Sequence, residues 1–185
     1  MQRLGDAMRE AETVGLEVDA GHAKHAPKGQ RIKMHFSVAG AIRLIMLTGC
    51  RLREILHLRW SEVDAERGLL FLPDSKTGKK TVVLSAAAQA VLKEMPCGRV
   101  RRCGRERGSQ DEKSRADLKR PWTAITKRAG LMGLRIHDLR HSFASVGAWS
   151  GMGLPVIGKL LGHADVTTTQ RYAHIADEAA RRVPT

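Results

Sequence analysis

The segment "FSVAGAIRLIMLTG", residues 36–49, reads as a helix that has to be buried. Val38, Ile42, Ile45 and Met46 recur at helical spacing along one face, and Gly49 stands where a C-cap closes a helix. Such a helix needs other elements to cover it. With 185 residues, 42% of them hydrophobic, the chain can build one well-buried core and is too short for two. A single domain is expected.

The covering elements follow along the chain. "LGDAMREAETVGLEV" carries Leu4, Met8 and Ala11 at helical spacing and reads as an amphipathic helix, followed by a polar Gly/Pro loop, "DAGHAKHAPKGQR". A helix begins again at "RLREILHLRW". Leu69 to Leu72 and Thr81 to Leu84 flank a Lys/Gly turn, the pattern of a β-hairpin. Ser85 caps "AAAQAVLKEM", which Pro96 stops, and "DLKRPWTAITKRAG" and "HDLRHSFASVGAWSG" supply two further helices. In "LPVIGKLLG", Pro155 near the start and Gly162 just past the end mark a short helix. The predicted class is α+β, mostly α-helical with a small antiparallel hairpin sheet. Residues 96–116 are different: Val100 and two cysteines are their only sizeable apolar side chains. That stretch reads as a mobile Arg-rich loop, because it cannot bury enough surface to offset its ordering entropy.

Charge narrows the partner. Thirty-two Lys and Arg against nineteen Asp and Glu give +13, a self-repulsion that a polyanion relieves, so nucleic acid is the expected ligand. No apolar run reaches the ~18 residues of a membrane span, and the polar start "MQRLGDAMRE" is not a signal peptide, so a cytoplasmic protein is expected. Cys50, Cys97 and Cys103 lack CxxC spacing and read as reduced thiols.

Several residues carry chemistry together that none carries alone. Taken as a helix at 100° per residue, "RIHDLRHSFASVGAWSG" places His137, Arg140, His141, Ala144 and Ala148 on one side. Leu139, Phe143, Val146 and Ser150 gather on the other, which predicts a core stripe opposite the His/Arg face. His137 and His141 have the i, i+4 spacing of a zinc pair, but Asp138 stands where HExxH needs its Glu, so no metal is expected. Arg51 follows a Gly turn at a helix start, with Glu54 one turn on to orient its guanidinium. Lys76 sits near the hairpin tip, His163 follows a capped helix, and Tyr172 is the only tyrosine of the chain. Singly these are a surface ion pair, a solvated lysine, a structural histidine and a packing tyrosine.

In chain order the set is TGxR, a hairpin Lys, HxxR, LGH and a Tyr nine residues after that His. With "LTGCRLREILHLRW", "HDLRHSFAS" and "LGHADVTTTQRYAHI", the chain resembles the tyrosine recombinase, or phage integrase, family from about Val38 to Ala176, apart from the Arg-rich segment. The resemblance implies the family's catalytic-domain fold and a site-specific recombinase acting on double-stranded DNA without metal, ATP or other cofactor. It implies Tyr172 as nucleophile forming a 3′-phosphotyrosyl link, Arg51 and Arg140 as phosphate clamps, and His163 as a further donor to the phosphate. It also implies His137 assisting proton transfer at the tyrosine and Lys76 protonating the leaving 5′-oxygen. The residue types suit these tasks: arginine binds phosphate oxygens in a bidentate way that lysine cannot, and a phenol of pKa about 10 needs help to lose its proton. Arg99, Arg101, Arg102 and Arg171 are candidate DNA contacts, and a tetramer on DNA is the assembly the family implies.

Family members usually carry an N-terminal helical domain that closes a clamp around DNA. This chain reads instead as an isolated catalytic domain, with residues 1–30 as a linker and N-terminal helix, and with a short tail after Tyr172. Two competing activities follow: a truncated DNA-binding fragment without catalysis, and a type IB topoisomerase-like relaxing activity.

Overall fold

A computed structural model describes residues 2–17, 31–75, 78–95, 118–165 and 167–182. Helix α1 (Gln2–Thr13) leads to the short strands β1 (Leu16–Glu17) and β2 (Arg31–Ile32). Then come α2 (Phe36–Thr48), α3 (Leu52–Leu56), a 3₁₀ turn at Trp60–Glu62 and strands β3 (Val63–Asp64), β4 (Leu69–Ser75) and β5 (Gly78–Val83). The remainder is helical: α4 (Ala86–Glu94), α5 (Lys119–Arg128), α6 (Asp138–Trp149), α7 (Leu154–Leu161), α8 (Thr167–Gln170) and α9 (Ala173–Arg181).

Helix α2 is the axle of the fold. Val38, Ala39, Ala41, Ile42, Leu44 and Ile45 are all buried, so the helix is covered nearly all round rather than along one stripe. Gly49 ends it at φ 64°, its N–H bonded to the Ile45 carbonyl, the left-handed cap that the sequence requires. The main core joins α1 through Leu4, Met8 and Ala11, α3 through Ile55 and Leu56, the sheet through Leu70 and Val82, and α5 through Trp122 and Ile125. Ion pairs Arg43–Glu12 at 2.5 Å and Arg128–Glu10 at 2.7 Å fasten α1 at its edge.

Strands β3, β4 and β5 form one antiparallel sheet in that order, with Leu72 opposite Lys80. The expected hairpin is there. The third strand, and the β1–β2 pair with Leu16 opposite Ile32, are too short to show a period of two in sequence. The first helix was expected to continue towards residue 18; it ends at Thr13, and Gly15 at φ 90° turns the chain into β1, where a Cβ would lie 2.8 Å from the Ile32 backbone. The helix begun at Arg51 also stops early, at Leu56. Most of the Gly/Pro loop, the whole Arg-rich segment and the hairpin tip lie outside the described residues.

One expectation is overturned. The Arg140, Ala144 and Ala148 side of α6 was read as facing away from the core, yet these residues are buried, whereas Val146 on the supposed core stripe is 64% exposed. The reason is that α6 is packed on two sides. Leu139 belongs to the main core, while Ala144 and Ala148 meet Ile157, Leu161 and Tyr172 in a second, smaller core. Alanines there are not vacant floor for a ligand; their small size lets α7 and α9 approach.

Candidate active site

The site lies where the two cores meet. Arg51 is the N-cap of α3: its backbone N–H and its Nη1 each donate to Glu54, both at 2.8 Å, while Nη2 donates to the Gly162 carbonyl at 3.3 Å. The Glu54 carboxylate therefore orients Arg51, as the spacing suggested. Arg140 on α6 is only 4% exposed and donates from Nη1 to the Gly49 carbonyl and from Nη2 to the Leu161 carbonyl, each at 2.5 Å. A guanidinium has five N–H groups, so each arginine is anchored by part of its fork and keeps N–H groups for an anion.

Gly49 serves the site through its carbonyl and through its lack of a side chain. Its carbonyl holds Arg140, and a Cβ there would lie 2.5 Å from Phe143 Cδ1 and 2.9 Å from Leu161 Cδ2. The "TG" before Arg51 thus packs α6 and α7 onto the end of α2.

His163 follows the left-handed cap Gly162 and meets Thr169 Oγ1 through Nδ1 at 2.8 Å. Burial, then Arg140 and Arg51, pull its pKa down to about 4, so the ring is neutral at neutral pH. In the tautomer where Thr169 donates to Nδ1, the proton sits on Nε2 and is available to a ligand. Thr169 presses on Gly158, where a Cβ would come within 2.9 Å of its hydroxyl.

Tyr172 lies between α8 and α9, 4% exposed, its hydroxyl 2.5 Å from Nδ1 of His141. Burial raises the phenol's pKa, with Arg171 and Arg140 opposing; burial and then Arg171 lower that of His141. At neutral pH the pair is therefore a protonated phenol against a neutral imidazole, and the phenol donates where the His141 proton sits on Nε2. His137 caps α6 and stacks edge-on against His141 with ring centroids 5.0 Å apart. The resemblance gives the tyrosine's proton to His137; the contact is with His141, which sequence reading placed on the right helix face without giving it a task. Arg171 is exposed beside the tyrosine. Lys76, Arg99, Arg101 and Arg102 lie outside the described residues.

Two further participants had weak sequence signals. Thr169 is one of three consecutive threonines, and only the fold says which one is buried. Lys80 alternates onto the inner face of β5, with a side chain 5% exposed and Nζ 3.8 Å from Glu54 Oε2. Among the described residues no group of three or more His, Cys, Asp or Glu side chains is arranged to hold a metal ion, and no helix is long and apolar enough to cross a membrane.

Comparison with known proteins agrees with this fold. The tyrosine recombinase XerA of Saccharolobus solfataricus is 30% identical over 139 residues, which cover 72% of this chain and 44% of that protein. The shufflon-specific DNA recombinase of Escherichia coli is 31% identical over 137 residues, covering 71% of this chain and 33% of the relative. The chain thus spans less than half the length of these two proteins. Among solved structures, the catalytic domain of bacteriophage HP1 integrase superposes with a TM-score of 0.63 at 22% identity, covering 99% of this chain and 92% of that one. The XerH site-specific recombinase bound to its difH substrate gives 0.65 at 19% identity, over 98% of this chain and 51% of that chain. These likenesses identify the fold as that of a tyrosine recombinase catalytic domain. The model of the phage integrase family matches residues 23–179, which include both arginines, both helix-end histidines and the single tyrosine: this chain belongs to that family.

Proposed function

We propose that this chain is the strand-cleaving and rejoining unit of a site-specific DNA recombinase, with Tyr172 as its nucleophile. The observation that carries the reading is the placement of the chain's single tyrosine: its hydroxyl is hydrogen-bonded to His141, on the helix that also holds the buried Arg140. In the proposed step the phenol oxygen attacks the scissile phosphorus as its proton passes to His141 Nδ1. Arg51, Arg140 and His163 Nε2 donate to the non-bridging oxygens, where charge grows in the transition state. The bond from phosphorus to the 5′-oxygen breaks, and that oxygen leaves with a proton from Lys76, the role the family resemblance gives that residue. The product is a 3′-phosphotyrosyl link and a free 5′-hydroxyl. Attack by the 5′-hydroxyl of another strand reverses the step, and the conserved phosphoester bond means that no ATP is consumed.

Double-stranded DNA as substrate fits the +13 charge. Solved relatives include recombinases in complex with DNA. The polarity of cleavage is the test. A nicked duplex incubated with the chain in EDTA should yield protein bound to the 3′ end and a fragment whose new 5′-hydroxyl a polynucleotide kinase can label. A blocked 5′ end, or cleavage that stops on chelation, would overturn the proposed chemistry.

A further inference from the structure

Lys80 is a buried lysine that the proposed reaction does not use. The alternation of β5 puts it on the same inner face as Val82, whereas its neighbours Lys79 and Thr81 are exposed. Its Nζ is the one buried side-chain polar atom among the described residues without a hydrogen-bond partner. A buried ammonium with three unused N–H groups is costly unless something balances it.

What surrounds it is the phosphate site. Glu54 from α3 approaches to 3.8 Å, and the same carboxylate is bonded to Arg51. Arg140 of α6, Cys50 of the turn before α3 and, further off, His163 complete the titratable and charged groups that act on it or feel it. Leu72, its partner on β4, is apolar. The cluster therefore sets a single carboxylate against two guanidiniums and the lysine. Burial, the largest cause, holds the lysine below its ordinary pKa; the arginines act in the same direction, and Cys50 and Glu54 oppose them.

We propose that Lys80 is a further cation of the phosphate site, its ammonium form stabilised by a phosphodiester bound between Arg51, Arg140 and His163. The inference rests on the functional reading above. An incoming phosphodiester supplies the negative charge that the crowded cations lack, so protonation and binding favour one another. Cleavage then places a second negative charge on the non-bridging oxygens, and a protonated Lys80 beneath them balances it without moving. By linkage, anion binding should strengthen as pH falls through the range where Lys80 titrates.

The test is calorimetric. The chain is titrated with a short duplex DNA at about pH 9, above the histidine range, in two buffers of different ionisation heat. The wild type is expected to take up part of a proton, at most one, for each chain bound, and Lys80→Met is expected to take up none. Equal uptake by the two proteins, or binding without uptake by the wild type, would overturn the inference and leave the functional reading intact. A chain that does not bind duplex DNA at all would overturn both. The ¹³Cε resonance of Lys80 reports the same event without any substitution: its titration midpoint should rise when duplex is added, and an unmoved midpoint would also refute the proposal.

Discussion

The two halves of the site are built differently. Arg51, Glu54 and Lys80 stand on α3 and β5, elements set into the main core that runs from Leu4 to Leu139. Tyr172 and His163 belong to the α7–α9 end of the chain, whose own core is Ala144, Ala148, Ile157, Leu161 and the tyrosine itself. The proposed phosphate-holding side is thus set in a large apolar interior, and its guanidiniums are anchored by carbonyls of both halves, Gly49 on one and Leu161 and Gly162 on the other. The nucleophile's side depends on a few small contacts, on the His141 hydrogen bond, and on Arg182 lying 4.5 Å over the Trp149 ring. Under the proposed function, the element that carries Arg51 and Glu54 is held by the main core. The proposed nucleophile sits in the smaller core.

That contrast can be broken or sharpened by substitution. The largest effect is expected on the phosphate-holding side. Arg140→Lys removes the fork that spans two backbone carbonyls and the phosphate, and adduct formation should fall about 10²- to 10³-fold; a fall under tenfold would show that the fork is not needed. On the nucleophile's side, His141→Ala should slow adduct formation by about 10²-fold or more if the imidazole takes the phenol's proton. The informative control is His137→Ala. A larger loss there than at His141 would return the proton to the residue favoured by the family resemblance.

Smaller effects concern stability. Ala148→Leu forces bulk between α6 and α7 and should cost about 1–3 kcal/mol in denaturant unfolding. Val146→Thr, on the exposed side of the same helix, should stay within about 0.5 kcal/mol. The reverse order would restore the helix face expected from periodicity. A further effect on stability is a pH dependence. His163 folds with its pKa near 4, below the unfolded value of about 6.5, so the folded state binds fewer protons. Its contribution is complete above that unfolded value and is lost as pH falls towards 4. The melting temperature of the wild type should drop more across this window than that of His163→Gln, and parallel curves would contradict the burial assigned to the ring.

Much of this was legible in the sequence where a local rule and the fold agree. Gly49 and Gly162 cap helices by their conformational freedom, Ser85 caps α4 with its hydroxyl, and Arg51 meets Glu54 because i and i+3 are neighbours on a helix. What escaped depends on elements distant in sequence. The face of α6 was misassigned because alanine is ambiguous in a pattern: small enough for an empty surface and small enough for close packing. His141 acquires its role only when α9 brings Tyr172 to it from thirty-one residues away. Lys80 looks like any lysine after a turn until β5 aligns it inward with Val82. The paired strands β1 and β2 have two residues each, too few for any periodic signal.

The most direct test of the central claim is a denaturing gel of the wild type and Tyr172→Phe, each incubated with nicked duplex carrying a candidate recombination site. The account predicts a covalent protein–DNA band for the wild type and none for Tyr172→Phe, with duplex binding retained by both. An adduct that survives the loss of the phenol, or a wild type that binds DNA and never forms one, would contradict it.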